Sequence, residues 1–222
     1  MKILYEDSDI LVVKKPAGIE SQSSRGLEAD MVSMIKNYLY RSQRQGKEPY
    51  VGVIHRLDKP VGGILVYAKT PKAAKDLSSQ IQEGKMEKKY MAVVCGKPEQ
   101  EQGNYIDYLL KDGKTNTSRI VPEKTQGAKR AELFYEIIKQ GQKNEMDLFL
   151  ISILLKTGRH HQIRVQFAGH GTPLFGDRKY GGEGRELALF ACQLSFFHPK
   201  SGQKMVFHEE PEGEGFDIFN IG

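Results

Sequence analysis

A chain of 222 residues, 39% hydrophobic and 27% charged, can bury a substantial core within one domain. No apolar run reaches the ~18 residues of a membrane span, the first residues lack the apolar core of a secretory signal, and two cysteines, Cys95 and Cys192, are too few for a disulfide framework. The 33 basic and 28 acidic residues leave a net charge of +5, compatible with nucleic-acid binding without proving it, so the composition predicts a cytoplasmic protein with buried, reduced thiols.

Ile3–Tyr5 and Ile10–Val13 are short β-rich runs joined by a turn-rich tetrad, which predicts a hairpin. Leu27, Met31, Met34, Ile35, Tyr38 and Leu39 recur at helical spacing and predict a helix over 27–40. Arg41 to Pro49 reads as a loop leading into Val51–Ile54. A second helix is well punctuated: Thr70 can cap it, Pro71 suits its first turn and Gly84 its end. Tyr90–Cys95 reads as a strand closed by Gly96 and Pro98, and Asn104 to Lys156 as consecutive strands joined by polar turns. Within that region Ala131, Leu133, Tyr135 and Ile137 keep a two-residue period, and Met146–Leu155 is a longer apolar strand. Thr157 is expected to cap a helix running through Ile163, Val165 and Phe167. Leu187–Phe197 and Lys204–His208 read as closing strands. Runs of strands with few helices argue for an α+β domain with a mixed or largely antiparallel sheet, and no repeat or composition break demands a second domain.

The chain is organised around His55-Arg56-Leu57-Asp58-Lys59-Pro60-Val61-Gly62-Gly63, a shaped polar loop, followed by the apolar run Ile64–Ala68, a buried strand. A carboxylate on a rigid loop beside a core strand is a good place for chemistry, although a lone Asp on such a loop more often caps a turn. Four basic clusters, Arg41–Lys47, Lys85–Lys89, Lys124–Arg130 and Arg159–Arg164, would track phosphates if they faced one way and are solvated surface if they do not. No GxGxxG after a strand, P-loop or metal-ligand spacing is present.

His-Arg-Leu-Asp, a short loop and an aliphatic strand ending Ala68-Lys69 resemble the catalytic motif of the RluA-like pseudouridine synthases. The resemblance continues through Ile3–Gly18, Lys88–Val94 and Thr157–Val165, in order over nearly the whole chain. It implies a bent, largely antiparallel sheet with flanking helices and a central cleft, in one catalytic domain over residues 1–222. Because the pattern begins at residue 3, no separate N-terminal RNA-binding module is expected. The implied reaction is cofactor-independent isomerisation of uridine in ribosomal or transfer RNA, by a monomer with no membrane association and no metal. Asp58 would be the essential carboxylate, as nucleophile at C1′ or base at C2′, with Arg164 as the cation that keeps it ionised. Tyr90 would stack on the flipped uracil, and Arg56 would occupy the space that it leaves. His55, Lys88, Lys89, Arg159 and His161 complete the expected RNA-binding set, with His161 able instead to bond locally. His160 and His161, as neighbours on one helix, could not share a face to bind a metal.

Two departures stand out. Val61-Gly62 occupies the place of a small polar pair, and Gln166 stands where relatives often carry His. Two other readings remain at this level: a non-catalytic RNA-binding relative or folding helper, which would not require Asp58, Tyr90 and Arg164 together, and a metal-dependent nuclease, which would require clustered carboxylates.

Overall fold

The computed structural model describes residues 1–23, 29–43 and 48–220. In chain order the elements are β1 (Lys2–Glu6), β2 (Ile10–Lys15), α1 (Met31–Gln43), β3 (Gly52–Val53), β4 (Gly62–Ala68), α2 (Pro71–Gln82), β5 (Glu87–Cys95), β6 (Gln102–Asp112), β7 (Thr117–Val121), β8 (Lys129–Lys143), β9 (Met146–Leu155), α3 (Gln162–Gly169), a 3-10 turn (Arg178–Tyr180), β10 (Leu189–Phe197), β11 (Lys204–His208) and α4 (Glu214–Asp217). The α+β expectation holds, and the pairings β1–β2, β2–β4, β3–β4, β5–β9, β6–β7, β6–β8, β8–β9 and β10–β11 are all antiparallel. The chain separates into two compact units: Met1–Glu87 with Ala191–Glu209, and Lys88–Phe190 with Glu210–Gly222.

In the first unit β2 pairs with β1 on one side and β4 on the other. Every residue of β4 is buried, so both of its faces are covered and its sequence is apolar without alternation. Ile10 and Val12 of β2, Ile64 and Val66 of β4, and Leu194 and Phe196 of β10 share one core with Ala73 and Leu77 of α2. Each such aliphatic side chain taken from water contributes about 2 kcal/mol. The α2 boundaries are as the sequence predicts: the Thr70 hydroxyl accepts from Ala73 N at 3.1 Å, and Pro71 opens the helix. For α1 the expected start at Leu27 lies outside the described residues, as does most of the Arg41–Lys47 cluster. Its described start is a reciprocal cap, with Ser33 N donating to Asp30 Oδ1 at 2.7 Å and Asp30 N to Ser33 Oγ at 3.0 Å. Met31, Ile35 and Leu39 then form its buried stripe.

The second unit holds an antiparallel run of strands in the order β5-β9-β8-β6-β7. Ala131, Leu133 and Tyr135 are buried on one face of β8, in accord with the two-residue period. Tyr105, Tyr135 and Phe167 close that core as an aromatic cluster, with ring centroids 4.7 to 5.6 Å apart.

Three sequence expectations change. Thr157 does not cap α3, which begins at Gln162 with His161 before it in the left-handed region (φ 53°). The reason is long-range: Lys156 N and Thr157 N both donate to Glu132 O, and the Thr157 hydroxyl accepts from Glu132 N at 2.8 Å, so the chain stays bound to β8 beyond the end of β9. His160 and His161 therefore precede the helix, and their rings stack with centroids 3.8 Å apart, where helical spacing would have separated them. Both cysteines are free but only half-buried, because each sits near the end or edge of its apolar run.

Candidate active site

Between β3 and β4 the chain must present Asp58 while entering a fully buried strand, and it is fixed there from residues 15–21. Leu57 N donates to Ser21 Oγ and Ser21 Oγ donates to Leu57 O, each at 2.9 Å, so one hydroxyl satisfies both backbone groups of the buried residue before Asp58. Tyr67 on β4 donates from its hydroxyl to Ser21 O at 3.1 Å. On the other side of Asp58, Lys59 O accepts from Gly18 N at 2.8 Å and from Lys15 Nζ at 3.2 Å. Lys15 is fully buried and also donates to Ile19 O at 2.6 Å and Pro16 O at 3.0 Å. Burial brings its ammonium from 10.5 to about 8, while attraction to the Asp58 carboxylate acts in the opposite direction.

Val61 N closes the turn on Asp58 O at 3.0 Å, and the Val61 side chain is buried. Gly63 follows at φ +128°, where a Cβ would lie 2.4 Å from Ala191 O. The Val61-Gly62 departure therefore joins a packed apolar residue to a strand entry that demands glycine at position 63. Asp58 is half-buried at the crest of this loop, Arg56 projects into solvent, and His55 is half-buried.

The second unit carries Tyr90 and Arg164. Tyr90 is buried on β5, with Lys88 on the same face and Lys89 on the opposite one. Arg164 is buried in α3 and forms a two-point ion pair with Asp177: Nε to Oδ2 and Nη2 to Oδ1, both 2.7 Å. The guanidinium carbon also lies 5.1 Å from the centre of the Tyr180 ring. Tyr180 Oη accepts from Ser118 N at 2.9 Å and shares a hydrogen bond of 2.7 Å with His161 Nδ1. His161 is buried here, and its pKa falls to about 3 through burial first and then the Arg164 charge, which keeps it neutral. His160 meets Ser118 Oγ at 2.9 Å and Asn116 Oδ1 at 3.1 Å, while the exposed Arg159 donates from Nε to Arg130 O at 2.9 Å. Gln166 is fully buried and donates to Asp107 Oδ2 at 2.7 Å and Tyr105 O at 3.2 Å.

Sequence reasoning missed Lys15, Ser21, Asp177 and Tyr180 as site-shaping residues. Lys15 did leave a signal, because it continues the Leu11, Val13 parity of a buried strand. Asp177 and Tyr180 lie in a loop with no period to read. Among the described residues no group of three His, Cys, Asp or Glu could hold a metal ion, and no helix is long and apolar enough to cross a membrane.

A family model described as RNA pseudouridylate synthase matches residues 9–169, more than half of the chain. An uncharacterized RNA pseudouridine synthase of Aquifex aeolicus is 36% identical over 96% of this chain and 70% of its own length. Ribosomal large subunit pseudouridine synthase C of Buchnera aphidicola (subsp. Schizaphis graminum) is 32% identical over 91% of this chain and 65% of its own length, so the chain spans about two thirds of such relatives. The solved human RNA pseudouridylate synthase domain containing 4 shares the fold with a TM-score of 0.76 at 20% identity, over 95% of this chain and 88% of that one. Motif order, matched family model and relatives agree: the chain belongs to the RNA pseudouridylate synthase family, on its RluA-like branch.

Proposed function

We propose that the chain isomerises uridine to pseudouridine in structured RNA. The observation that carries this reading is the fixation of Asp58, whose two chain neighbours are both held by residues 15–21. A solvated turn carboxylate has no need of such anchoring, whereas a carboxylate that must meet one sugar carbon does.

The target nucleotide leaves its stack at a cost of a few kcal/mol, and the exposed Arg56 guanidinium fills the gap. Ionised Asp58 attacks C1′, or removes the C2′ proton, as the N1–C1′ bond breaks and its electron pair stays with the base. The uracil turns and C5 bonds to C1′, which releases the Asp58 carboxylate from C1′ in the first route and returns the C2′ proton from Asp58 in the second; the C5 proton is then released to a base and N1 takes up a proton. Tyr90 supplies the aromatic face and assists that last step. Arg164 supplies positive charge for the carboxylate and the departing uracil anion. His55, Lys88, Lys89, Arg159 and His161 shape or contact the RNA. No electron or phosphate is transferred, so protein and RNA suffice for the reaction. A monomer can perform it, because one chain carries every assigned group, and such RNA would meet it in the cytoplasm.

Curated relatives are named for the ribosomal large subunit, which makes that RNA the first substrate to test, with transfer RNA second. The test incubates the protein with each unmodified RNA and maps pseudouridine by base-selective chemical labelling. New pseudouridine at defined uridines supports the reading; RNA that is bound and left unmodified points to a binding protein instead.

A further inference from the structure

Lys88 opens the second unit on β5, two residues before Tyr90 and on the same face. Its ammonium is half-buried, and burial alone lowers its pKa. Among the described residues nothing offers it a hydrogen bond or a carboxylate. A lysine desolvated without a counter-charge costs stability that a hydrophobic residue in the same place would not. Such a group is retained where its partner arrives from outside.

The surroundings say what that partner is. The register Lys89↔Leu154 brings the start of β5 beside the turn that follows β9, where Gly158 lies. A Cβ on Gly158 would stand 3.7 Å from Lys88 Nζ and meet no other atom within 4 Å. Glycine at this exposed turn thus leaves the half-buried ammonium approachable from one side, and a larger side chain would close over it. Arg159, next in the chain, is exposed and has its Nε held by Arg130 O, which fixes a second cation on the same turn. An ammonium against a bare glycine backbone, with a second cation on the same turn, suits a tetrahedral oxyanion on a flexible chain better than a planar base edge, which would demand paired donors and acceptors.

We propose that Lys88, Gly158 and Arg159 form a subsite for one RNA backbone phosphate. The proposal rests on RNA being the substrate and adds where one phosphodiester is held. Lys88 is then a positioning residue: it grips one phosphate on the same strand face as Tyr90, so that the nucleotide presented there has a fixed backbone.

The test measures binding of a fluorescently labelled unmodified RNA hairpin from 50 to 300 mM salt. Lys88→Gln should weaken binding about five- to tenfold near 0.1 M salt and make the log–log salt slope shallower by about 0.7–0.9, the value of one phosphate contact. Lys88→Arg should restore both. Gly158→Leu, at a position with no left-handed backbone requirement, should weaken binding by a similar factor without any change of charge. Thermal unfolding separates function from structure: Lys88→Met should leave Tm unchanged or higher, because no partner is lost. An unchanged salt slope in Lys88→Gln, or a large fall in Tm for Lys88→Met, overturns the subsite while leaving the RNA reading intact. Failure of the wild type to bind RNA overturns both.

Discussion

Lys15 Nζ lies 3.2 Å from the carbonyl oxygen of Lys59, so the last residue of β2 holds the residue that follows Asp58. The ammonium sits at the meeting point of three carbonyls and feels the Asp58 carboxylate. It is both a strut of the loop and a source of field at the reacting group.

Replacing it should separate these two roles by pH. The folded-state pKa of Lys15 lies below its unfolded value, so between about 8 and 10.5 the unfolded chain binds more protons and stability rises with pH. The difference spans up to about 3 kcal/mol for a shift of this size. Urea unfolding of wild type and Lys15→Met at pH 7.5 and 10.5 should show that this rise is specific to the wild type. Equal pH dependence in both proteins contradicts the assignment.

Asp177 holds the buried Arg164 guanidinium at two points, so its loss removes a buried charge-assisted pairing. Asp177→Asn should lower stability by about 3 kcal/mol and reduce kcat more than it raises KM, since Arg164 would lose its two-point orientation. Thermal unfolding with steady-state assays on unmodified RNA checks both. An unchanged kcat would show that Arg164 needs no such orientation.

Gly63 allows no side chain. Its φ of +128° and the 2.4 Å approach of Ala191 O mean that Gly63→Ala must shift backbone where β4 begins. We expect a loss of about 3 kcal/mol or more with activity falling in parallel, read by urea unfolding and pseudouridine formation on one preparation. Retention of wild-type stability would contradict the close packing.

Tyr180 ties Ser118 on β7 to His161 ahead of α3 through one hydroxyl. Tyr180→Phe keeps the ring against Arg164 and removes only that oxygen, so a loss of about 1–2 kcal/mol follows from the two orphaned groups. Tyr180→Leu should cost more, because the ring contact goes too. Denaturant midpoints of the two variants decide the order.

Much of this architecture was legible in the sequence because its signals are local. The Thr70-Pro71 start of α2, the apolar run of β4 and the alternation along β8 each follow from neighbouring residues. Thr157 misled because its hydroxyl is engaged across the sheet by Glu132, a partner 25 residues away that outweighs local capping preference. The anchoring of Asp58 was hidden for the same reason: Ser21 and Leu57 lie 36 positions apart, Lys15 and Lys59 44. Asp58, Tyr90 and Arg164 stood out as members of an ordered motif set, whereas Asp177 acquires meaning only once its carboxylate is seen against Arg164.

The most direct measurement compares wild type with Asp58→Asn on a ribosomal RNA that the wild type modifies, recording binding and pseudouridine yield in the same reaction. Asn keeps the size of the side chain and removes its charge, so RNA affinity should stay within about twofold of wild type while no pseudouridine forms above background. Pseudouridine formed by Asp58→Asn at a rate comparable to wild type would contradict the assignment of Asp58 as the reacting carboxylate.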